Sequence, residues 1–171
     1  MKVGLIADTH DRIPAVDELL HRMQEAGVGM VLHAGDYCSP FSLAPFRERN
    51  LALAGVFGRN DGDREGLRAY ASAGVGNEMY ESPHSFEIGG RRILLVHDIG
   101  EVTVRSLRNH AVVVHAHTHQ QEMRMRDESL IINPGEGCGW LHGTPTAAIL
   151  DLEELKVDFL ALTEPEWKAA K

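Results

Sequence analysis

Apolar and polar positions follow two different periods along the chain, and the change of period marks its elements. Lys2–Ala7, Met30–Ala34 and Leu51–Phe57 are short, nearly continuous apolar runs, the pattern of strands buried on both faces. After the first run, Val16, Leu19, Leu20 and Met23 recur at helical spacing and predict an amphipathic helix over Pro14–Ala26, with Gly27 placed to end it. A helix is expected after each of the other two strands as well. Such alternation predicts a largely parallel sheet. Beyond residue 84 the pattern turns to strands. Ser85–Ile88 and Arg92–His97 flank Gly89-Gly90, a hairpin signal. A short helix, Val102–Asn109, leads to a strand at Ala111–His115. Glu122–Arg126 and Leu130–Asn133 flank a turn at Asp127-Glu128, and Thr146–Asp151 and Lys156–Leu162 complete the strands. Both halves are satisfied by a layered α/β sandwich of two sheets with helices outside. No linker, repeat or low-complexity segment divides the chain, which predicts one domain over residues 1–171.

The unusual residues stand at strand ends. Asp8-Thr9-His10 follows the first strand, Gly35-Asp36 the second and Gly58-Arg59-Asn60-Asp61 the third. His97-Asp98 follows the hairpin, and His115-Ala116-His117-Thr118-His119 the next strand. Ligands of open α/β sheets bind outside the carboxyl ends of their strands. Each piece alone has an ordinary reading. Asp8 and Asp36 can cap helices or shape turns, Asn60-Asp61-Gly62 is turn chemistry, and a lone His97 can be a hydrogen-bonded core histidine. Together, five successive strands deliver Asp, Asn or His to what reads as one edge of one sheet, and metal chemistry explains the set. Imidazole with carboxylate suits manganese, nickel, iron, zinc or cobalt. There are more such ligands than one ion needs, and a carboxylate bridging two cations gives the arrangement used for in-line phosphoryl displacement.

Composition narrows the alternatives. Acids outnumber Lys and Arg by 25 to 17, for a net charge of −8, so the basic footprint of a non-specific nucleic-acid binder is absent. No apolar run approaches the roughly 18 residues of a membrane span, and the opening Met1–Asp8 is too short for a signal-peptide core. Cys38 and Cys138 show no zinc spacing and are expected as reduced thiols in a cytoplasmic protein.

In this order, Asp8-x-His10, Gly35-Asp36, the loop 58–61, His97 and His117-x-His119 resemble the calcineurin-like metallophosphoesterases. Asp8-Thr9-His10-Asp11 and Asn133-Pro134-Gly135-Glu136 fit their small archaeal and bacterial phosphodiesterases of the YfcE type. The resemblance spans nearly the whole chain. It implies a four-layer sandwich of two mixed β-sheets flanked by helices. It implies two divalent transition-metal ions, manganese first. Asp8, His10 and His119 would hold the first, His97 and His117 the second, and Asp36 both. Asp36, His97 and His117 would be the catalytic set, a metal-bridging hydroxide would attack phosphorus, and the partner would be a small phosphate ester, with a homo-oligomer open. A phosphomonoesterase or nucleotidase on the same site, and a weakened interaction scaffold like the retromer subunit of this architecture, are the competing readings.

Three positions depart from the family pattern. Arg59 stands where an asparagine is usual, Asp98-Ile99 follow His97 in place of Gly and often His, and Ala116 replaces a Gly before His117. A guanidinium cannot ligate a metal, and at about 4 Å from a dication it is repelled by roughly 8 kcal/mol at an effective dielectric of 20. Either Arg59 turns outward while Asn60 swings in, or Arg59 reaches over the metals to hold a phosphate oxygen. The second is preferred, because a one-residue shift reverses side-chain direction in an extended segment. Arg59 and Asn60 are thus the substrate-binding candidates. His33 is read as either a support for a ligand or a hydrogen-bonded core histidine. His115 is expected to face away from His117, and the loop Gly135–Gly143, with Cys138, Trp140 and His142, to border the site. His21, His84 and His110 are expected to be uninvolved.

Overall fold

The computed structural model describes residues 1–74 and 76–163; the last positions of the single-domain reading, 164–171, lie outside the described residues. In chain order, β1 (Lys2–Ile6) is followed by α1 (Ile13–Glu25), and β2 (Met30–His33) by a 3-10 turn at Pro40–Leu43 and α2 (Ala44–Glu48). Next come β3 (Ala52–Val56), α3 (Arg64–Ser72) and β4 (Glu78–Tyr80), then the hairpin β5 (His84–Ile88) and β6 (Arg91–Leu95). A 3-10 turn at Ile99–Glu101, α4 (Val104–Arg108) and β7 (Val112–Val114) lead to two further hairpins. These are β8 (Gln121–Arg126) with β9 (Ser129–Pro134), and β10 (Thr146–Asp151) with β11 (Lys156–Ala161). Among the described residues, no helix is long and apolar enough to cross a membrane.

Two mixed sheets result. One runs β11-β10-β1-β2-β3-β4, with β1 to β4 parallel and β10 antiparallel to β1. The other runs β5-β6-β7-β9-β8, with β6, β7 and β9 parallel. The strand period of two sorts the side chains into layers. Val3 and Leu5 of β1, Leu32 of β2, Ile93 and Leu95 of β6 and Val112 and Val114 of β7 meet in the core between the sheets. The alternate residues Ile6, Val31 and Leu53 turn the other way, onto α1 to α3. On the far side Leu94, Val113 and Ile131 pack under Leu107 of α4. The layers are therefore helix, sheet, sheet, helix, as the resemblance implies.

Helix α1 buries Ala15, Val16, Leu19, Leu20 and Met23, the stripe that its spacing predicts. It ends as expected at Gly27, whose φ of 85° only glycine adopts without strain. The N–H of Gly27 bonds to the Gln24 carbonyl and that of Val28 to the Met23 carbonyl, a Schellman closure. Gly89 and Gly90 close the β5–β6 hairpin with φ of 58° and 73°, the handedness a two-residue turn needs.

Two expectations are corrected. The site-bearing strands do not share one sheet: β1, β2 and β3 belong to the first, β6 and β7 to the second. The Gly-Gly hairpin starts a second sheet whose apolar face covers that of the first. Several strands also stop one or two residues early, because Ala7, Ala34, Phe57 and His97 already belong to the turns that form the site. β4, with three residues, is too short to carry a legible period.

Gly55 in β3 is a packing constraint. A Cβ there would lie 1.8 Å from the Tyr37 hydroxyl, and Tyr37 is fully buried with its ring stacked on His33 at 3.7 Å. Gly55→Ala is expected to destabilise the fold by about 1–3 kcal/mol through overpacking. Urea melts of Gly55→Ala alone and with Tyr37→Phe check this: the phenylalanine, lacking the hydroxyl, should restore part of the loss.

Candidate metal centre

The carboxyl ends of β1, β2 and β3 meet those of β6 and β7, and the loops leaving them are tied together by backbone hydrogen bonds. Asp8 N–H donates to the Gly35 carbonyl, and Thr9 and His10 both donate to that of Asp36. Gly137 donates to Ala7 O, and Ala116 to His97 O. Side chains add staples. The Asp61 carboxylate, 3% exposed, accepts from the N–H groups of Asp36, Tyr37, Cys38 and Gly58 at 2.6–3.1 Å. Asp11 accepts from Ser39 N–H and hydroxyl at 2.9 and 2.7 Å. Asn133, fully buried, donates to Ala116 O and Thr118 Oγ1. These ties hold a run of non-glycine residues at positive φ: Asp8 at 48°, His10 at 39°, Asp36 at 60°, His117 at 70° and His119 at 60°. Such conformations cost about 1–3 kcal/mol each and cluster at functional sites.

Inside this frame the predicted side chains converge. One oxygen of Asp36, Oδ2, lies 3.6 Å from His10 Nε2 and 3.5 Å from His97 Nε2. Asp8 Oδ1 lies 3.8 Å from His119 Nε2. These spacings are too long for hydrogen bonds. They suit ligands of a shared ion, since tetrahedral bonds of about 2.1 Å separate two ligand atoms by about 3.4 Å. Asp8, His10 and His119 form one trio of mutually close donor atoms; Asp8, Asp36 and His97 form another. His117 belongs to neither trio. Its ring faces that of His97 at 5.4 Å, and its N–H donates to Asp8 Oδ2.

The far side of each ring is anchored. His97 Nδ1 is 2.9 Å from the Ala34 carbonyl, an acceptor only, so Nδ1 carries the proton and Nε2 presents its lone pair. His119 Nδ1 is 2.9 Å from Glu136 Oε2. Glu136 is 1% exposed and also accepts from the N–H groups of Leu141 and His142. His10 Nδ1 sits 3.3 Å from the Cys38 sulfur. Among the described residues, three buried side-chain atoms have no hydrogen-bond partner: Asp8 Oδ1, His10 Nε2 and His97 Nε2. All three are atoms that the metal reading assigns as ligands, and an uncompensated buried polar atom costs about 1–3 kcal/mol. The residues fit a cation.

The electrostatics agree. Burial raises the Asp8 carboxyl to about 6, although His119 and His97 oppose the shift. Burial lowers the basicity of His10. Burial also pushes Asp36 upward, but hydrogen bonds from Asn60 and the charges of His97 and His10 outweigh it and hold Asp36 below its ordinary value. The Cys38 and Cys138 thiols are unpaired with each other and pushed up to about 12 by burial, so both are neutral.

The loop after β3 reverses one expectation. Asn60 swings in and donates to Asp36 twice, from its N–H at 2.8 Å and its side-chain amide at 2.7 Å. Arg59 turns outward, 57% exposed, and pairs with Asp98 at 2.5 Å. The strand-alternation argument does not apply, because Gly58 N–H bonds to Asp61 and curls the segment into a turn. His33 is both things considered for it: a neutral core histidine, and a support, bonded to Thr9 Oγ1 and Gly35 N–H beside the ligands. His115 faces away, onto Glu122 at 2.8 Å. The loop Gly135–Gly143 does border the site through Glu136, while Trp140 projects to the surface under the Arg12 guanidinium. His21 is half-exposed beside Glu25, His84 stacks on Tyr80, and His110 bonds to Ser85, all apart from the ligands. Sequence reasoning missed the roles of Asp61 and Glu136; acids inside otherwise tight, Gly-containing loops were the available signal.

Carboxylates and imidazoles converging where the strand ends of a two-sheet sandwich meet define a metallophosphoesterase fold. The chain belongs to the calcineurin-like phosphoesterase superfamily, whose domain it matches over residues 1–155. It is 32% identical over 158 residues to the phosphodiesterase MJ0936 of Methanocaldococcus jannaschii, covering 90% of this chain and 95% of that protein. The solved structure of an archaeal phosphodiesterase superposes with a TM-score of 0.86 at 30% identity, over 95% of this chain and all of that one. The phosphoesterase YfcE of E. coli shares the fold, with a TM-score of 0.70 at 16% identity over 95% of this chain and 100% of its own.

Asp61→Ala leaves four N–H groups without their acceptor and is expected to cost about 3 kcal/mol or more. Asp61→Asn keeps one acceptor oxygen and should cost less. Chemical denaturation of both variants in chelator measures the difference without any contribution from bound metal.

Proposed function

We propose that this protein is a dinuclear-metal phosphodiesterase. The observation that carries the reading is the trio of unpartnered buried atoms, Asp8 Oδ1, His10 Nε2 and His97 Nε2, facing one another across Asp36. Asp8, His10 and His119 would hold the first ion and His97 and His117 the second, with Asp36 shared between them. Two divalent ions, when bound, supply Lewis-acid charge to the phosphate oxygens and acidify a water; manganese is the first candidate, with nickel, iron, zinc and cobalt behind it. The protein's own part is orientation. Ala34 O fixes the His97 tautomer, Asn60 aims both oxygens of Asp36, and the Glu136 carboxylate orients the His119 ring. The convergence of these carboxylates and imidazoles on unpartnered buried atoms weighs against a purely structural scaffold.

A diester is preferred over a monoester. A monoester carries nearly two negative charges near neutral pH, and the cleft beside His97 offers little unpaired positive charge to hold them. Its two lining guanidiniums are already matched, Arg59 by Asp98 and Arg64 by Glu81. Asn60 thus acts by orienting Asp36, and Arg59 lines the rim of the cleft paired with Asp98.

Two outcomes are expected. Purified protein loaded with each metal in turn should hydrolyse activated diesters faster than the matching monoesters; a consistent preference for alkyl monoesters would overturn the diester reading. Asp36→Ala should lose bound metal and turnover together, measured by elemental analysis and initial rates. Full metal content with normal turnover would sink the bridging role.

A further inference from the structure

Asp98 has an unusual position. Its Oδ1 accepts from Gly100 N–H at 2.8 Å, which caps the turn Ile99–Glu101 and fixes the carboxylate. Its Oδ2 is thereby left facing Arg59 Nη2 at 2.5 Å and His117 Nε2 at 4.0 Å. The imidazole and carboxylate atoms already described meet at 3.5, 3.6 and 3.8 Å; this is a fourth such pair, again beyond hydrogen-bond reach. It involves the one metal-ligand candidate outside both trios. A carboxylate has about four lone-pair sites, so Asp98 can accept from Arg59 and bind a cation at once.

We infer that Asp98 is a ligand of the second ion, entering with His117. The inference rests on the two-ion reading above and adds a donor to it. Arg59 then has a definite part. It holds the Asp98 carboxylate at the rim, with its own charge offset.

The competing account is that Asp98 serves Arg59 alone, as a counter-ion. The two separate in a background without the guanidinium. Calorimetric titration of chelated wild-type protein with Mn²⁺ comes first and should give two equivalents; a single equivalent would refute the two-ion reading itself. Arg59→Ala and Arg59→Ala/Asp98→Ala are then titrated side by side. A lost ligand should weaken the second equivalent by roughly 10-fold or more and spare the first. Visible absorption of the Co²⁺-loaded forms supplies the second readout, since losing a donor atom alters the bands of the second ion whereas removing a distant charge does not. Asp98→Asn in the same background guards against misfolding, because it keeps an oxygen donor and should fall between the two. An unchanged second affinity, or a weakened one with an unchanged Co²⁺ spectrum, overturns the assignment.

Discussion

Four backbone N–H groups converge on the buried carboxylate of Asp61, and the geometry of the centre hangs on that convergence. Three of them belong to the turn after β2 and one to the turn after β3. The carboxylate thus fastens two loops of one sheet and turns Asp36 toward the second. A negative group that accepts four donors is strongly satisfied by hydrogen bonds alone. Asp8 differs from it. Asp8 accepts one N–H and keeps a bare oxygen, and burial raises its carboxyl to about 6.

The six proposed ligands were legible from sequence because strand ends are legible. An apolar run followed at once by Asp or His marks a place where the chain leaves the core with a polar side chain. That rule flagged Asp8, His10, Asp36, His97, His117 and His119 among other strand-end residues, and the family resemblance singled them out as ligands. It could not find Glu136 as the partner of His119, or Asp61 as a staple, because both act on groups far away in the chain. It misdirected Arg59 and Asn60 for a related reason. The rule of alternating faces holds in an extended segment, and residues 58–61 form a turn closed by Gly58 and Asp61. It also merged two sheets into one, since alternation reports which face a side chain takes and says nothing of which strand lies alongside.

The rings are backed by groups of different chemical character. His119 leans on a carboxylate, His97 on a peptide carbonyl and His10 on a neutral thiol. A charged acceptor increases the electron donation of an imidazole more than a neutral one does. The three imidazoles are therefore unequal as donors by construction, and His119 is the most electron-rich of them.

Gly35 and Gly58 face each other so closely that a methyl group on either would lie under 3 Å from the other loop or from Asp36 and His97. The turns after β2 and β3 are at their nearest possible approach and cannot draw closer. A side chain at either glycine would have to push the two turns apart, and with them Asp36 and His97, so the approach of the loops is set by the absence of two methyl groups.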